Sequence, residues 1–405
     1  MSKQIKAPLI SIEQAQLMSL AAQGLLKTNF GKGKKGTLNA IEHLGYIQID
    51  TLAVVARAHH HTLWTRVADY KESHLNELLE KDKSIFEYWS HAASYLPMSD
   101  FRFSLPRKHE YASGASHWFK QDKKVNNYVL DRIKAEGALQ SKDFEFKRNG
   151  PSNWFEWKPA KMALEQLFME GKLMIAKRQG FQKVYDLTER ILPTTVNTKF
   201  PSEKEQAEYL IKKAIQANGI VEEKEIAYLR SSSKEMVAKS LKHLVKSGEL
   251  VETGIETKKG TYFTSQALIN ESTKLKGTEQ LHIFSPFDNA VIQRKRVQQL
   301  FDFEYIIECY LPEPKRTYGY FCLPIMYNGK LVGRFDPKAE RATKTFYIKQ
   351  MHFEKGFKPT AAFKKAFKEK LNSFAAFNGC DVVVSCWLMV VGCWLMALHC
   401  VWPSS

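Results

Sequence analysis

Residues 203–264 read EKEQAEYLIKKAIQANGIVEEKEIAYLRSSSKEMVAKSLKHLVKSGELVETGIETKKGTYFT. Residues 203–229 give two helices, and 232–250 give a third, opened by a serine cap and closed at Gly248. Residues 251–264 then alternate as a two-stranded ribbon. Three helices followed by a ribbon is the order of a winged helix, whose third helix suits a major groove and whose basic ribbon suits a groove or phosphates.

The same plan stands upstream. Residues 125–145 read as a helix, a glycine break and a short second helix. Residues 157–173 form an amphipathic helix with Met162, Leu164, Leu167 and Phe168 near helical spacing, ended at Gly171. Residues 173–187 make two alternating runs about Gly180, a hairpin. The first ~120 residues fit an elaborated third module: SIEQAQLMSLAAQGLL (11–26), a basic loop GKGKKG (31–36) and the helix TLNAIEHLG (37–45). After about residue 270 the runs become short, β-branched and aromatic: LHIFSPFDNAVI, FDFEYIIECYLP, TYGYFCLPIMYNGKLVGRFDPKAE and TKTFYIKQMHFE, with YNGK a hairpin turn. The expected fold is α+β: three tandem winged-helix modules over 1–122, 123–198 and 199–272, a C-terminal β-barrel or curled sheet over 273–380, and an apolar tail over 381–405.

Composition narrows the class. With 44% hydrophobic and 12% aromatic residues the chain can bury cores, which excludes disorder. Sixty Lys and Arg against 43 Asp and Glu leave a net charge of +17, favouring a polyanionic partner, nucleic acid before an anionic membrane surface. The six cysteines form no CxxC pair and no Cys/His set with zinc spacing. With no signal-peptide core at the N-terminus, a reducing cytoplasm is expected.

A second stretch, HLGYIQIDTLAVVARAHHHTLW (His43–Trp64), bears on chemistry. Gly45 ends a helix. YIQID then alternates, with Ile47 and Ile49 on one face and Gln48 and Asp50 on the other. From Thr51 the pattern turns helical through Leu52, Val55, Ala56, His59 and Leu63, which makes Asp50 an ordinary N-cap on local pattern alone. That leaves Gln48 unexplained. An amide and a carboxylate on one face hold a water between them, or place negative charge beside a sugar carbon that becomes cationic as its bond to a base breaks. At a helix N-terminus the carboxyl pKa is expected to be lowered, keeping Asp50 ionised.

This stretch, with EYWSHAASYLPMSDFR (87–102) and residues 285–341, resembles the winged-helix DNA glycosylases of the YcaQ (AlkX) type, related to AlkZ, over about residues 8–380. In that family a Gln-Φ-Asp motif, or Gln-Φ-Gln in the AlkZ branch, carries the chemistry, and Gln48, Ile49 and Asp50 match the first form. The resemblance implies tandem winged helices with a C-terminal β-barrel. It also implies hydrolysis of the N-glycosidic bond of alkylated purines, including unhooking of interstrand crosslinks. Asp50 then supplies negative charge and polarises water, while Gln48 fixes that water or the deoxyribose. With no lysine in the motif, a monofunctional enzyme is expected.

Around the motif, Arg57, His60, His61, Trp64 and Arg66 are candidates for DNA contact. Three consecutive histidines on a helix point in different directions, so no metal is expected. Trp89 and His91 are candidates for lining the lesion pocket, or for an aromatic cluster under the first module. Lys177, Arg178, Gln179 and Lys183, near the Gly180 hairpin tip, suit phosphates or a minor groove, or a solvated end; Lys258 and Lys259 offer the same on the second ribbon. The expected partner is double-stranded DNA with alkylated or crosslinked purines, bound by a monomer without cofactor. The competing class is a winged-helix transcriptional regulator without catalysis, which would need specific half-sites and often a dimer.

Residues 382–402 hold no Asp, Glu, Lys or Arg and reach bilayer-spanning length. CWLM occurs twice there, seven residues apart. The segment is read as an atypical end with no role in the chemistry, in preference to a membrane anchor.

Overall fold

Ser11 accepts the Gln14 N–H at 3.0 Å and opens the first helix, as expected of an N-cap. The computed structural model describes residues 9–27, 30–114, 122–144, 159–229 and 233–385. Strand β1 (Leu9–Ile10) precedes α1 (Ile12–Ala22) and α2 (Gly33–Leu44). The basic loop is therefore shorter than read, because Lys34, Lys35 and Gly36 already belong to α2. Gly45 ends α2 at φ 77°, a turn that glycine takes without a Cβ clash. There follow β2 (Ile47–Gln48), α3 (Ala58–Arg66), α4 (Glu72–Glu80), β3 (Ile85–Trp89), β4 (Ala93–Pro97) and α5 (Leu105–Ala112), with a three-stranded sheet in the order β2-β4-β3.

The next elements are α6 (Lys123–Glu136), α7 (Pro159–Met169), the hairpin β5 (Leu173–Gln179) and β6 (Gln182–Leu187), and α8 (Thr188–Ile191). Their apolar faces join those of the preceding unit. Leu44, Ile47, Tyr88, Leu164, Leu167 and Ile175 share one buried cluster, so the boundary expected at 122 does not separate two cores. Residues 145–158, which include the start of the 157–173 run, lie outside the described residues.

The stretch 203–264 folds in the order read from sequence. α9 (Glu203–Asn218) starts with a capping box. The Ser202 side chain accepts the Glu205 N–H, and the Glu205 carboxylate accepts the Ser202 N–H. β7 (Val221–Glu222), α10 (Glu223–Ile226), α11 (Lys234–Lys246), β8 (Val251–Ile255), β9 (Tyr262–Thr264) and α12 (Gln266–Ser272) follow. Ser233 stands at the cap of α11 but makes no side-chain cap bond. β1 pairs parallel to β8, Leu9 against Gly254 and Ile10 against Ile255, giving a sheet ordered β1-β8-β9-β7.

The last part is not all-β. β10 (Leu281–Ile283), α13 (Arg294–Phe301), β11 (Leu323–Tyr327), β12 (Lys330–Glu340), β13 (Thr345–Phe353), α14 (Ala361–Phe377) and β14 (Val382–Ser385) form a five-stranded sheet in that strand order with two helices. Among the described residues β10 and β14 do not pair, so the sheet is a curled half-barrel rather than a closed barrel. The YNGK turn stands as read, with Asn328 and Gly329 both at positive φ. FDFEYIIECYLP, expected as a strand, is irregular: Phe303 and Tyr305 are buried, and the Tyr305 hydroxyl donates to Cys322 O instead of entering a ladder. The expected boundary between 380 and 381 assigns β14 to the tail, yet β14 pairs parallel with β13 from Thr345 to Ile348 and so belongs to the half-barrel sheet. The rest of the tail, 386–405, lies outside the described residues. Among the described residues no helix is long and apolar enough to cross a membrane.

Candidate active site

β2 pairs antiparallel with β4, Gln48 opposite Ser94, and the Ile49 N–H donates to Ala93 O at 2.8 Å. Ile47 and Ile49 enter the core, which turns Gln48 to the other face, where it is 8% exposed. There the His91 Nε2–H donates to Gln48 Oε1 at 3.0 Å. The His91 ring lies 4.9 Å from Tyr46 and 5.3 Å from Tyr228, both edge-on or tilted. His91 also lines a cleft of about 640 Å³ with Tyr46, Trp89, Arg107, Lys213 and Tyr228, and the first turn of α11 contributes Ser233 and Met236. The structure therefore puts Trp89 and His91 in the lining of one cleft, with Gln48 behind that lining through its bond to His91.

Asp50 is not a helix cap. α3 begins only at Ala58, with Arg57 as its N-cap, because residues 51–57 spend their hydrogen bonds on the C-terminal part. Ala339 N–H donates to Val54 O at 3.0 Å, and Ala56 N–H donates to Asn378 Oδ1 at 2.6 Å. Val55 is fully buried in the core of the half-barrel. Asp50 Oδ1 accepts the Leu52 N–H at 2.7 Å, a local Asx-type turn. Burial holds its carboxyl above the ordinary value, opposed by that one N–H, so the lowering expected from a helix N-terminus is reversed. Its charge is felt across the junction. Burial and then Asp50 raise the Cys309 thiol; burial, Cys309 and then Asp50 raise the Tyr310 phenol.

Several expected DNA contacts lie inside the protein. His61 is fully buried, its Nε2–H donating to Ile283 O at 2.9 Å, and burial brings its pKa down to about 4. Arg66 is fully buried and bidentate to Asp288, at 2.7 Å for both bonds. Trp64 stacks on Phe377 at 5.5 Å between the two large cores. His60 is held by the Tyr70 hydroxyl at 2.7 Å, with a pKa lowered to about 3 by burial, then Arg57 and Arg178. Among the described residues no cluster of three or more His, Cys, Asp or Glu has metal-binding geometry.

The hairpin tip is likewise engaged. Arg178 makes two bonds to the Glu87 carboxylate, at 2.5 and 2.7 Å, in buried surroundings. Lys183 pairs with Glu165 at 2.9 Å, Lys177 with Glu80 at 3.6 Å, and Gln179 accepts from Gln140. Phe181 at the tip lies beneath both Arg57 and Arg178, at 4.1 and 4.5 Å. Arg178 is thus a structural cation, not a phosphate contact. On the β8–β9 ribbon, no ion pair reaches Lys258 or Lys259 among the described residues. Sequence reasoning missed Tyr46, Tyr228 and the 306–311 segment. Tyr228 lies in a helical run, and Tyr310 in a run read as a strand.

A family model described as "DNA glycosylase AlkZ-like" matches residues 41–377. The solved structure of the Streptomyces sahachiroi DNA glycosylase AlkZ superposes with a TM-score of 0.62 at 15% sequence identity, covering 93% of this chain and 99% of that one. At that identity the likeness shows the fold.

Proposed function

Because the chain belongs to the AlkZ-like DNA glycosylase family, we propose that Gln48 and Asp50 carry hydrolysis of the N-glycosidic bond of alkylated purines, crosslinked purines included. The observation that carries this reading is the half-buried Asp50 carboxylate, two residues from the Gln48 amide and bonded to a single backbone donor. A desolvated carboxylate gains more from a cation forming beside it than a solvated one does. As the C1′–N bond lengthens, its electrons leave with the purine, whose alkylated ring already carries positive charge. The sugar cation that remains is stabilised by Asp50. Water oriented by the carboxylate adds to C1′, and its proton passes to solvent. The Gln48 oxygen is engaged by His91, so its amide N–H₂ group orients the sugar or the water. No amine belongs to the motif, which fits hydrolysis without a Schiff base.

Winged-helix behaviour of the three helix-and-ribbon units is part of the same proposal. α11 would approach the duplex with its first turn on the cleft, and the β8–β9 ribbon would reach phosphates through Lys258 and Lys259. The decisive assay is release of free base by the purified protein from duplex DNA carrying one N7-alkylguanine, then from an interstrand crosslink of the same base. Release from the first is expected; none from either would remove the reading. For binding, log affinity is expected to fall linearly with log salt. Lys258→Ala with Lys259→Ala is expected to flatten the slope by about 0.9 for each phosphate the ribbon no longer neutralises. An unaltered slope in a titration series would place the ribbon off the DNA.

A further inference from the structure

Beside Asp50 the chain presents an apolar projection that the glycosidic chemistry does not use. Ile306, Tyr310 and Leu311 are 60, 73 and 37% exposed, three large apolar side chains within six residues. Exposure of this kind is a cost unless something covers it. The segment is also built to stay in place. The Glu308 carboxylate accepts the N–H groups of Thr317, Tyr318 and Gly319 at 2.8, 2.7 and 3.1 Å, which ties off the loop at its base. Leu311 N–H donates to Glu308 O at 2.9 Å, and Arg316 Nε donates to Leu311 O at 2.9 Å. The next two N–H groups, of Tyr320 and Phe321, go to the Asp336 carboxylate at 2.9 Å each. Gly319, at φ 135°, approaches Asp336 so closely that a Cβ would sit 2.6 Å from it. Pro312 and Pro314 restrict the tip further. Lys315 is exposed on the same loop, with Arg316 next to it.

We infer that Ile306, Tyr310 and Leu311 form a pre-built wedge that enters duplex DNA at the base step beside the damaged nucleotide, with Lys315 and Arg316 meeting the flanking phosphates. This rests on the reading of Asp50 as the reacting centre. A rigid aromatic tip fits a stack of bases, and Tyr310 stands close enough to Asp50 to feel its charge, which puts the tip where the duplex passes if Asp50 is the reacting centre. Exposed Asp302, Glu304 and Glu313 share the segment, so Lys315 and Arg316 are its only cations toward phosphates. Apolar wedges between base steps are a general way to prop a duplex open, and an aromatic face stacks on any base. Tyr310 is therefore a positioning residue: it replaces the stacking that the damaged nucleotide gives up when it leaves its place.

Two measurements test this. Single-turnover release of N7-methylguanine is compared in duplex and single-stranded DNA, for wild type and for Tyr310→Ala with Leu311→Ala. The duplex-to-single-strand rate ratio is expected to fall about tenfold, with Tyr310→Trp restoring most of it. An unchanged ratio overturns the wedge. The second readout needs no catalysis. With Asp50→Asn protein, 2-aminopurine placed next to the lesion is expected to change emission on binding when Tyr310 is present and not with Tyr310→Ala. Equal emission in both overturns the wedge; a Tyr310-dependent change with no base release by wild type overturns the catalytic reading and leaves the wedge standing. Unaltered DNA readouts with a changed sedimentation mass would make the patch a contact between copies, which also overturns it.

Discussion

Asp50→Asn is expected to slow base release from alkylated duplex by about 100-fold or more, while the protein melts at the same temperature or higher. The two halves share one cause. Asparagine keeps an oxygen for the Leu52 N–H, so the local turn survives. The negative charge is removed, and with it the stabilisation of the sugar cation. On stability, the folded pKa of Asp50 lies above its ordinary value of 3.8 because of burial. A carboxyl so shifted favours the folded state while protonated, and that contribution is lost as pH rises through the folded pKa. At neutral pH the ionised group works against folding, and its removal costs nothing. The same shift sets the acid limb of the rate: release should climb with pH around a midpoint above 3.8, and Asp50→Asn should lack that limb. Wild-type rates with Asn, or a midpoint at or below the ordinary aspartate value, would take Asp50 out of the chemistry.

Asp288→Ala is expected to produce the largest loss of stability, roughly 3–5 kcal/mol, because it strands the Arg66 guanidinium in the core. Both side chains are fully buried, and Arg66 also donates to Gln23 O, Gln23 Oε1 and Thr62 O. The pair joins α3 to the turn that follows β10, so its removal reaches the frame around Asp50. Arg66→Met combined with Asp288→Leu is expected to recover much of the loss, since no buried charge then lacks a partner. Urea unfolding of the wild type and both variants decides it. Were Arg66 a phosphate contact, Asp288→Ala would instead leave the unfolding midpoint in place and alter the salt slope of DNA binding.

What was legible in the sequence is what neighbours along the chain decide. The Gly45 stop, the Asn328–Gly329 turn and the alternation of Ile47 and Ile49 each depend on a few adjacent residues, and each is present in the fold. The failures share an opposite origin. Residues 51–57 carry a helical pattern, yet Asn378 and Ala339, far along the chain, take their backbone groups. Arg178 looks like a free cation at a hairpin tip until Glu87 is placed opposite it. The triple histidine looks polar and exposed, but His61 spends its donor on Ile283 O in the core. Gln48 and Asp50 were recognisable as a pair. Their distinction, one anchored by His91 on the cleft and the other desolvated at the half-barrel, depends on tertiary contacts that no local pattern encodes.

The pairing of Leu9 with Gly254 carries a consequence for biosynthesis. β1 is made long before the strand it pairs with. On a ribosome adding ~5–20 residues each second, it waits on the order of ten seconds or more with an open edge. Nascent chains of this protein are therefore expected to need guarding at β1, and fragments cut before the β8–β9 ribbon to be clumping-prone rather than native.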